Sequence, residues 1–163
     1  MGRTVEFGIT TLCYITRKDT GDILFIVKGR TGDPNKGKWL GIGGHVEKDE
    51  SPDECIVREI CEESGISRDM LTKLELRGLI TFVSDKYPTE YMHVYEGEVE
   101  DGQGVKASCD EGELIWVAKE KIRDLPVWEG DKIMFDRLYD DDSFFSYKFR
   151  YEGELLSEKI RYK

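Results

Sequence analysis

The chain has 163 residues, a length typical of one domain with a full core, so 1–163 is predicted to be a single domain. Its net charge of −10 and pI near 4.8 argue against binding along a polynucleotide, which needs a basic face, but allow a small phosphorylated ligand that arrives with a metal ion. No apolar stretch approaches membrane-spanning length, the start lacks a signal-peptide core, and the four cysteines form no CxxC pair or zinc array. We therefore expect a cytoplasmic protein with reduced, packing cysteines and no membrane contact, either a monomer or a homodimer.

The first predicted element is a β-hairpin. Residues 4–16 and 23–29 are rich in β-branched and aromatic side chains, and the KDTGD stretch between them supplies turn residues. Residues 29–38, GRTGDPNKGK, are polar and glycine-rich, which predicts a loop that lies within the domain.

A loop and a helix are predicted next, over GHVEKDESPDECIVREICEESGI at 44–66. Ser51 or Asp53 can cap this helix, Pro52 suits its first turn, and Gly65 stands where it should end. The face that carries Cys55, Ile56 and Ile60 is apolar and is predicted to pack on a sheet.

Three carboxylates share the other face of this helix. Glu59, Glu62 and Glu63 are spaced i, i+3 and i+4, so their like charges repel one another unless a cation compensates them. Oxygen ligands without histidine or cysteine suit Mg²⁺, with Mn²⁺ as the alternative. Arg58 can pair with Glu59 or Glu50 and orient a carboxylate.

The remaining elements alternate between strands and helices. LELRGLITFVS and EYMHVYEGEVE are predicted to be two long paired strands, followed by a strand at ELIWVA and a short helical turn at KEKIRDLP. Apolar residues near helical spacing predict a second helix over 128–139, and FFSYKFRYEG and ELLSEKIRY predict two final strands joined at Gly153. This order predicts an α/β sandwich built on a mixed sheet.

The spacing of the 44–66 segment resembles the Nudix box at every fixed position. Those positions are Gly44, Glu50, Arg58, Glu59, Ile60, Glu62, Glu63, Gly65 and Ile66. The resemblance implies an α/β/α sandwich around a mixed sheet and hydrolysis of a nucleoside diphosphate linked to another group.

The same resemblance implies roles for individual residues. Glu59, Glu62 and Glu63 would bind the metal ion together with the Gly43 carbonyl oxygen. Gly44, Glu50 and Gly65 would support the site, and Arg58 would belong to the catalytic group with Glu59 and Glu111. The general base would be Glu59 or the downstream Glu111, which stands five residues before Trp116.

Outside the box, GKWLGIGGHVEKDE, LPVWEGDKIMF and FFSYKFRYEGELL are similar to MutT-like oxidised-purine nucleotide diphosphatases. By that likeness, Trp128 would stack on a purine and Asp131 would bind the hydrogen-bonding edge of the base. Lys38 and His45 would contact the phosphates; His45 stands where many MutT-like proteins have lysine, and only its protonated form is charged. Leu40 replaces an asparagine that reads the base in the mammalian enzyme, so base recognition must differ there.

The expected reaction is Mg²⁺-dependent cleavage of a nucleoside triphosphate, such as 8-oxo-dGTP, to the monophosphate and pyrophosphate. ADP-ribose and dinucleoside polyphosphates are the alternative substrates, although Thr81 and Phe82 stand where those subfamilies often carry proline or tyrosine. A non-catalytic module that senses a nucleotide, and an acidic scaffold protein that binds neither Mg²⁺ nor nucleotide, are the readings from other classes.

Overall fold

A ten-stranded mixed β-sheet flanked by two α-helices makes up the fold in a computed structural model, which describes residues 6–29 and 31–163. The strands are β1 (Phe7–Arg17), β2 (Ile23–Lys28), β3 (Trp39–Leu40), β4 (Ile42–His45), β5 (Leu71–Ser84), β6 (Thr89–Val99), β7 (Ser108–Cys109), β8 (Gly112–Val117), β9 (Phe145–Glu152) and β10 (Leu155–Arg161). The α-helices are α1 (Pro52–Ser64) and α2 (Glu129–Tyr139), and short 3₁₀ turns cover Arg68–Met70 and Lys119–Asp124.

The strands lie in the order β10-β9-β5-β6-β1-β2-β8-β7, with β3 paired to β2 and β4 paired to β1. The β1–β6 and β5–β9 pairs are parallel and the other pairs are antiparallel, so the predicted mixed sheet is confirmed. The predicted hairpin forms from β1 and β2, although the expected beginning of its first strand at residue 4 lies outside the described residues.

The sheet separates two hydrophobic clusters, and the alternation of side chains along β1 explains why. Leu12 and Tyr14 belong to the cluster that contains Met134 and Phe135 of α2, whereas Cys13 of the same strand belongs to the cluster that includes α1. The helices therefore cover opposite faces of the sheet, as the predicted α/β/α sandwich requires.

Helix α1 begins and ends where the sequence predicts. Ser51 is the N-cap: its hydroxyl oxygen accepts from the Glu54 backbone N–H at 3.0 Å, and the Glu54 carboxylate accepts from the Ser51 N–H at 3.1 Å. Pro52 occupies the first turn, and Gly65 ends the helix with φ of 80°. Cys55, Ile56 and Ile60 are fully buried against the sheet, as expected.

We expect Ser51→Ala to lower the free energy of unfolding by about 1 kcal/mol, because the Glu54 N–H loses its capping acceptor. Urea denaturation followed by circular dichroism measures this change. Ser51→Thr keeps the acceptor and should retain most of the stability, so an equal loss in both variants would contradict the capping role.

One sequence expectation about the cysteines is wrong. Cys13 and Cys55 are buried, and Cys109 is half-buried, but Cys61 lies exposed on α1 and packs in no core cluster. The helical repeat turns Cys61 away from the sheet that Ile60 contacts. Among the described residues, no helix has the length and apolar character needed to cross a membrane.

Candidate functional site

A cavity of about 690 Å³ opens between the central strands, helix α1 and the beginning of α2. Eight of the predicted site residues line it, namely Gly43, Gly44, His45, Glu59, Glu63, Glu111, Trp128 and Asp131. The structure thus brings residues from distant parts of the sequence to one chamber. Arg58, Glu50, Glu62, Lys38 and Gly65 stand outside its wall.

Glu59, Glu63 and Glu111 mark one end of the cavity, which we call the carboxylate end. Glu63 is 8% exposed, and burial raises the pKa of its carboxyl well above the ordinary value; Lys28 opposes this rise, while Glu59 and Glu111 add to it. Glu62 differs, because its side chain is 59% exposed and points to Arg58. Of the three carboxylates that share this helix face, two therefore line the cavity, those of Glu59 and Glu63.

Two glycines allow the strand beside α1 to approach the carboxylate end closely. A Cβ atom on Gly44 would overlap the Glu59 carboxylate, and a Cβ atom on Gly43 would overlap the Thr11 carbonyl oxygen. Any larger residue at either position would displace a neighbour. The Gly44 carbonyl oxygen accepts from the Thr11 hydroxyl at 3.2 Å, which ties β4 to β1 at this point.

Arg58 fastens the loop before α1 to the helix. Its Nε and Nη2 donate to both carboxylate oxygens of Glu50 at 2.7 and 2.9 Å, and its Nη1 donates to Glu59 at 2.8 Å and to Glu62 at 3.3 Å. Nη2 also donates to the His45 carbonyl oxygen at 3.2 Å. The bidentate Arg58 contact lowers the pKa of Glu50 to about 2, so Glu50 stays ionised. Both partners proposed for Arg58 from the sequence are present.

Lys28 is a site residue that the sequence analysis missed. Its Nζ lies 3.1 Å from Glu111 Oε2, its side chain is 12% exposed, and its charge acts on Glu63. A lysine at the end of an apolar strand gave no signal of this role. The contact depends on the pairing of β2 with β8, where Lys28 stands opposite Gly112.

The carboxylate end fits a hard divalent cation by the chemistry of its donors. Glu63 Oε2 is buried without a hydrogen-bond partner among the described residues, and Glu59 is close enough to raise the pKa of Glu63. Within 6–29 and 31–163, however, no three His, Cys, Asp or Glu side chains are grouped closely enough to hold a metal ion. Arg58 contributes to this separation of the carboxylates, because it forms ion pairs with both Glu59 and Glu62.

The other end of the cavity, which we call the aromatic end, is formed around Trp128 and Asp131. The Trp128 indole N–H donates to the Asn35 side-chain oxygen at 2.8 Å, and Lys38 Nζ lies 5.0 Å from the centre of the indole ring. Loop 31–38 therefore packs against the beginning of α2, which places Lys38 here and 3.3 Å from Glu154. The sequence analysis missed Asn35, which stands 93 residues from Trp128.

Asp131 is buried at the beginning of α2. One of its carboxylate oxygens accepts from the Trp128 backbone N–H at 3.2 Å, so it caps the helix as well as lining the cavity. Burial raises the pKa of Asp131 to about 7, against the lowering effects of the Trp128 N–H and Lys38. Leu40 also lines the cavity, so its wall is apolar at that position.

The chain resembles known proteins in sequence. The NUDIX domain family matches residues 6–138. The chain belongs to the Nudix family. It is 32% identical to the Nudix hydrolase YvcI of Bacillus subtilis over 133 residues, which are 78% of this chain and 82% of that protein. It is 32% identical to the oxidized purine nucleoside triphosphate hydrolase of Danio rerio over 119 residues, 72% of each chain.

The fold of the chain also resembles that of a known protein. The crystal structure of a MutT protein from Bacillus halodurans superposes with a TM-score of 0.80 at 25% identity, covering 95% of this chain and 97% of that one. This Nudix protein is therefore a hydrolase, and its substrates contain a nucleoside diphosphate linked to another group. Nudix hydrolases generally use divalent metal ions, which agrees with the oxygen donors at the carboxylate end.

Proposed function

We propose that this Nudix hydrolase is a Mg²⁺-dependent diphosphatase of purine nucleoside triphosphates, with oxidised purines such as 8-oxo-dGTP as its substrates. The products are the nucleoside monophosphate and pyrophosphate. Relatives named oxidized purine nucleoside triphosphate hydrolases, at 32% and 30% identity, support this choice of substrate.

The observation that carries the proposal is that one cavity joins two chemically different ends. Glu59, Glu63 and Glu111 line one end, and Trp128 and Asp131 line the other. A polyphosphate accompanied by a cation suits the first end, and a planar base with hydrogen-bonding groups suits the second. The volume of about 690 Å³ lies within the usual range of small-molecule sites.

At the carboxylate end, Glu59, Glu63 and the Gly43 carbonyl would hold Mg²⁺, with Mn²⁺ as a substitute, and Glu62 would join them or bind through water. The bound ion would neutralise the polyphosphate, activate the attacking water and stabilise the leaving group. Glu59 or Glu111 accepts the proton that the water loses when its oxygen attacks phosphorus. Lys28 holds Glu111 in place, and Arg58 holds Glu59.

At the aromatic end, Trp128 supplies the apolar face for the purine and Asp131 binds its edge. Lys38 lies over one face of the Trp128 ring, and Asn35 fixes the indole N–H, so the ring is held before substrate binds and its other face is the one that meets the purine. His45 follows the two glycines and supplies a further polar contact beside the phosphates.

The proposed function is tested by incubating the purified protein with Mg²⁺ and 8-oxo-dGTP, dGTP, dATP, ADP-ribose or diadenosine tetraphosphate. Product chromatography gives kcat/KM for each compound. We expect 8-oxo-dGTP to be preferred and to yield monophosphate and pyrophosphate. Preference for ADP-ribose or the dinucleotide would contradict the substrate assignment, and absence of turnover would favour the sensing module.

Titration of the Asp131 carboxyl should make the preference for one purine over another depend on pH. With a pKa of about 7, Asp131 is mainly protonated below that pH and mainly ionised above it. An ionised carboxylate only accepts, which suits the N1–H and amino donors of guanine, whereas a protonated carboxyl can also donate to N1 of adenine. We therefore expect the ratio of kcat/KM for 8-oxo-dGTP over dATP to rise as the pH increases through about 7.

The ratio cancels titration of the phosphates, which both substrates share. Asp131→Asn should remove the inflection, because an amide does not titrate in this range. Asp136→Asn, on the exposed side of the same helix and paired with Arg123, is the matched control and should keep it. A flat ratio in the unmodified protein would show that Asp131 does not read the base.

A further inference from the structure

A third polar region of the cavity is formed by residues other than the carboxylates and aromatic rings of the two ends already described. Thr10, His45 and Glu90 line it, and we call this group the hydroxyl subsite. It forms because β1 lies between β4 and β6: Thr10 stands opposite His45 on one side, and Gly8 stands opposite Glu90 on the other. Gly8 leaves room for the imidazole, since a Cβ atom there would lie 3.3 Å from His45 Cδ2.

The polar atoms of this subsite are incompletely satisfied by the protein. Thr10 is 5% exposed, and its hydroxyl oxygen has no hydrogen-bond partner among the described residues. Burial raises the pKa of Glu90, while the charge of His45 and the Thr10 hydroxyl, which lies near Glu90 without forming a well-directed hydrogen bond, lower it. Leaving a buried hydroxyl unpaired costs free energy, so a ligand atom that bonds Thr10 recovers that cost.

The position of the subsite indicates which part of a nucleotide reaches it. Phe82 stands directly opposite Glu90 in the β5–β6 pair, and its ring meets Trp128 edge-on with centroids 6.5 Å apart. On the opposite side, His45 directly follows Gly43 and Gly44 at the carboxylate end. The subsite therefore borders the path from base to phosphates, where the sugar of a nucleotide lies.

We propose that Thr10 and Glu90 bind the hydroxyl groups of the substrate's sugar, with His45 closing the subsite on the phosphate side. This inference rests on the proposed function, because it assumes that the cavity binds a nucleotide. A carboxylate is a well-established acceptor for ribose hydroxyls, and the Thr10 hydroxyl can both donate and accept, as a sugar hydroxyl does. A phosphate does not fit beside Glu90, since the two negative charges repel.

The test compares four guanosine nucleotides that differ only in their sugar: the ribo, 2′-deoxy, 3′-deoxy and 2′,3′-dideoxy forms. The triphosphates with Mg²⁺ give kcat/KM, and the monophosphates without metal give Kd by titration calorimetry. We expect the dideoxy form to be at least about tenfold worse than the ribo form in both measurements, because it lacks the hydrogen bond to a charged group.

Variants locate that preference. Glu90→Gln and Thr10→Val should each lower the ribo-to-dideoxy ratio, and the double variant should bring it close to one, while thermal unfolding confirms that the proteins remain folded. Glu98→Gln is the matched control, since it changes a glutamate of the same strand outside the cavity wall, and it should keep the ratio.

Equal treatment of the four sugars by the unmodified protein would overturn the inference. So would an equal loss for all four sugars in Glu90→Gln, because that pattern indicates a general effect on the cavity. Failure of the proposed function has a different signature: no triphosphate is hydrolysed, yet the monophosphate Kd values still follow the number of sugar hydroxyls.

Discussion

Glu63→Gln is expected to lower kcat by about a hundredfold or more, because the amide cannot supply the negative charge that binds a divalent cation beside the substrate. Glu63 is the most buried of the three glutamates proposed to bind the metal ion, and the described residues provide no hydrogen-bond partner for its Oε2 atom at the carboxylate end. The fold should remain intact, since glutamine has the same shape and removes the cost of burying a charge. Steady-state kinetics at saturating Mg²⁺ and thermal unfolding measure the two effects separately.

Metal-dependent stabilisation gives this prediction a readout independent of turnover. Mg²⁺ or Mn²⁺ should raise the Tm of the unmodified protein and have little effect on the Glu63→Gln variant. Glu62→Gln should lose less activity, because that side chain is 59% exposed and stands outside the cavity wall. Glu120→Gln, which changes an exposed glutamate outside the cavity wall, is the control. Normal kcat in Glu63→Gln would refute the assignment of the metal site.

The parts of the fold that the sequence predicted are those governed by local rules. Helix α1 could be placed from Ser51, Pro52 and Gly65, because a cap, a first-turn proline and a terminal glycine each act within one turn of the helix. The hairpin of β1 and β2 follows similarly from a short turn between two apolar runs. The facing of Glu59 and Glu63 follows from the helical repeat.

Contacts between distant strands could not be predicted in the same way. Lys28 meets Glu111 across 83 residues, and Asn35 meets Trp128 across 93 residues. Both contacts depend on the order of strands in the sheet and on how loop 31–38 folds back, and no local pattern records either. Glu90 is a further example, because alternation along β6 gives its face but not the cavity that this face borders.

Arg77 is a buried charge that no sequence pattern indicated. It is 3% exposed on β5 and pairs with Glu96 of β6. Its guanidinium also donates to the carbonyl oxygens of Arg137 at 2.9 Å, Leu138 at 3.2 Å and Asp141 at 2.7 Å, at the end of α2. These groups would otherwise lack partners, since the last carbonyls of a helix have none within it. Arg77 therefore fastens α2 to the sheet.

Arg77→Met is accordingly expected to lower the free energy of unfolding by about 3–5 kcal/mol. The loss arises because Lys73, at 2.7 Å, is then the one charged partner of Glu96 among the described residues, and the helix-end carbonyls lose their donor. Urea denaturation measures this change. Arg123→Met is the matched control: its ion pairs with Asp136 and Asp140 are exposed, so it should cost less than about 1 kcal/mol.

The double variant Arg77→Met/Glu96→Gln separates the two causes of that loss. Removing the Glu96 charge, which has lost its arginine partner, should restore part of the stability. The unpaired carbonyl oxygens of α2 account for the part of the loss that remains. Because Trp128 and Asp131 begin the same helix, the single variant should also raise KM more than it lowers kcat at temperatures where it remains folded. A variant with unchanged stability would mean that α2 is held by its apolar contacts alone, chiefly those of Met134, Phe135 and Leu138.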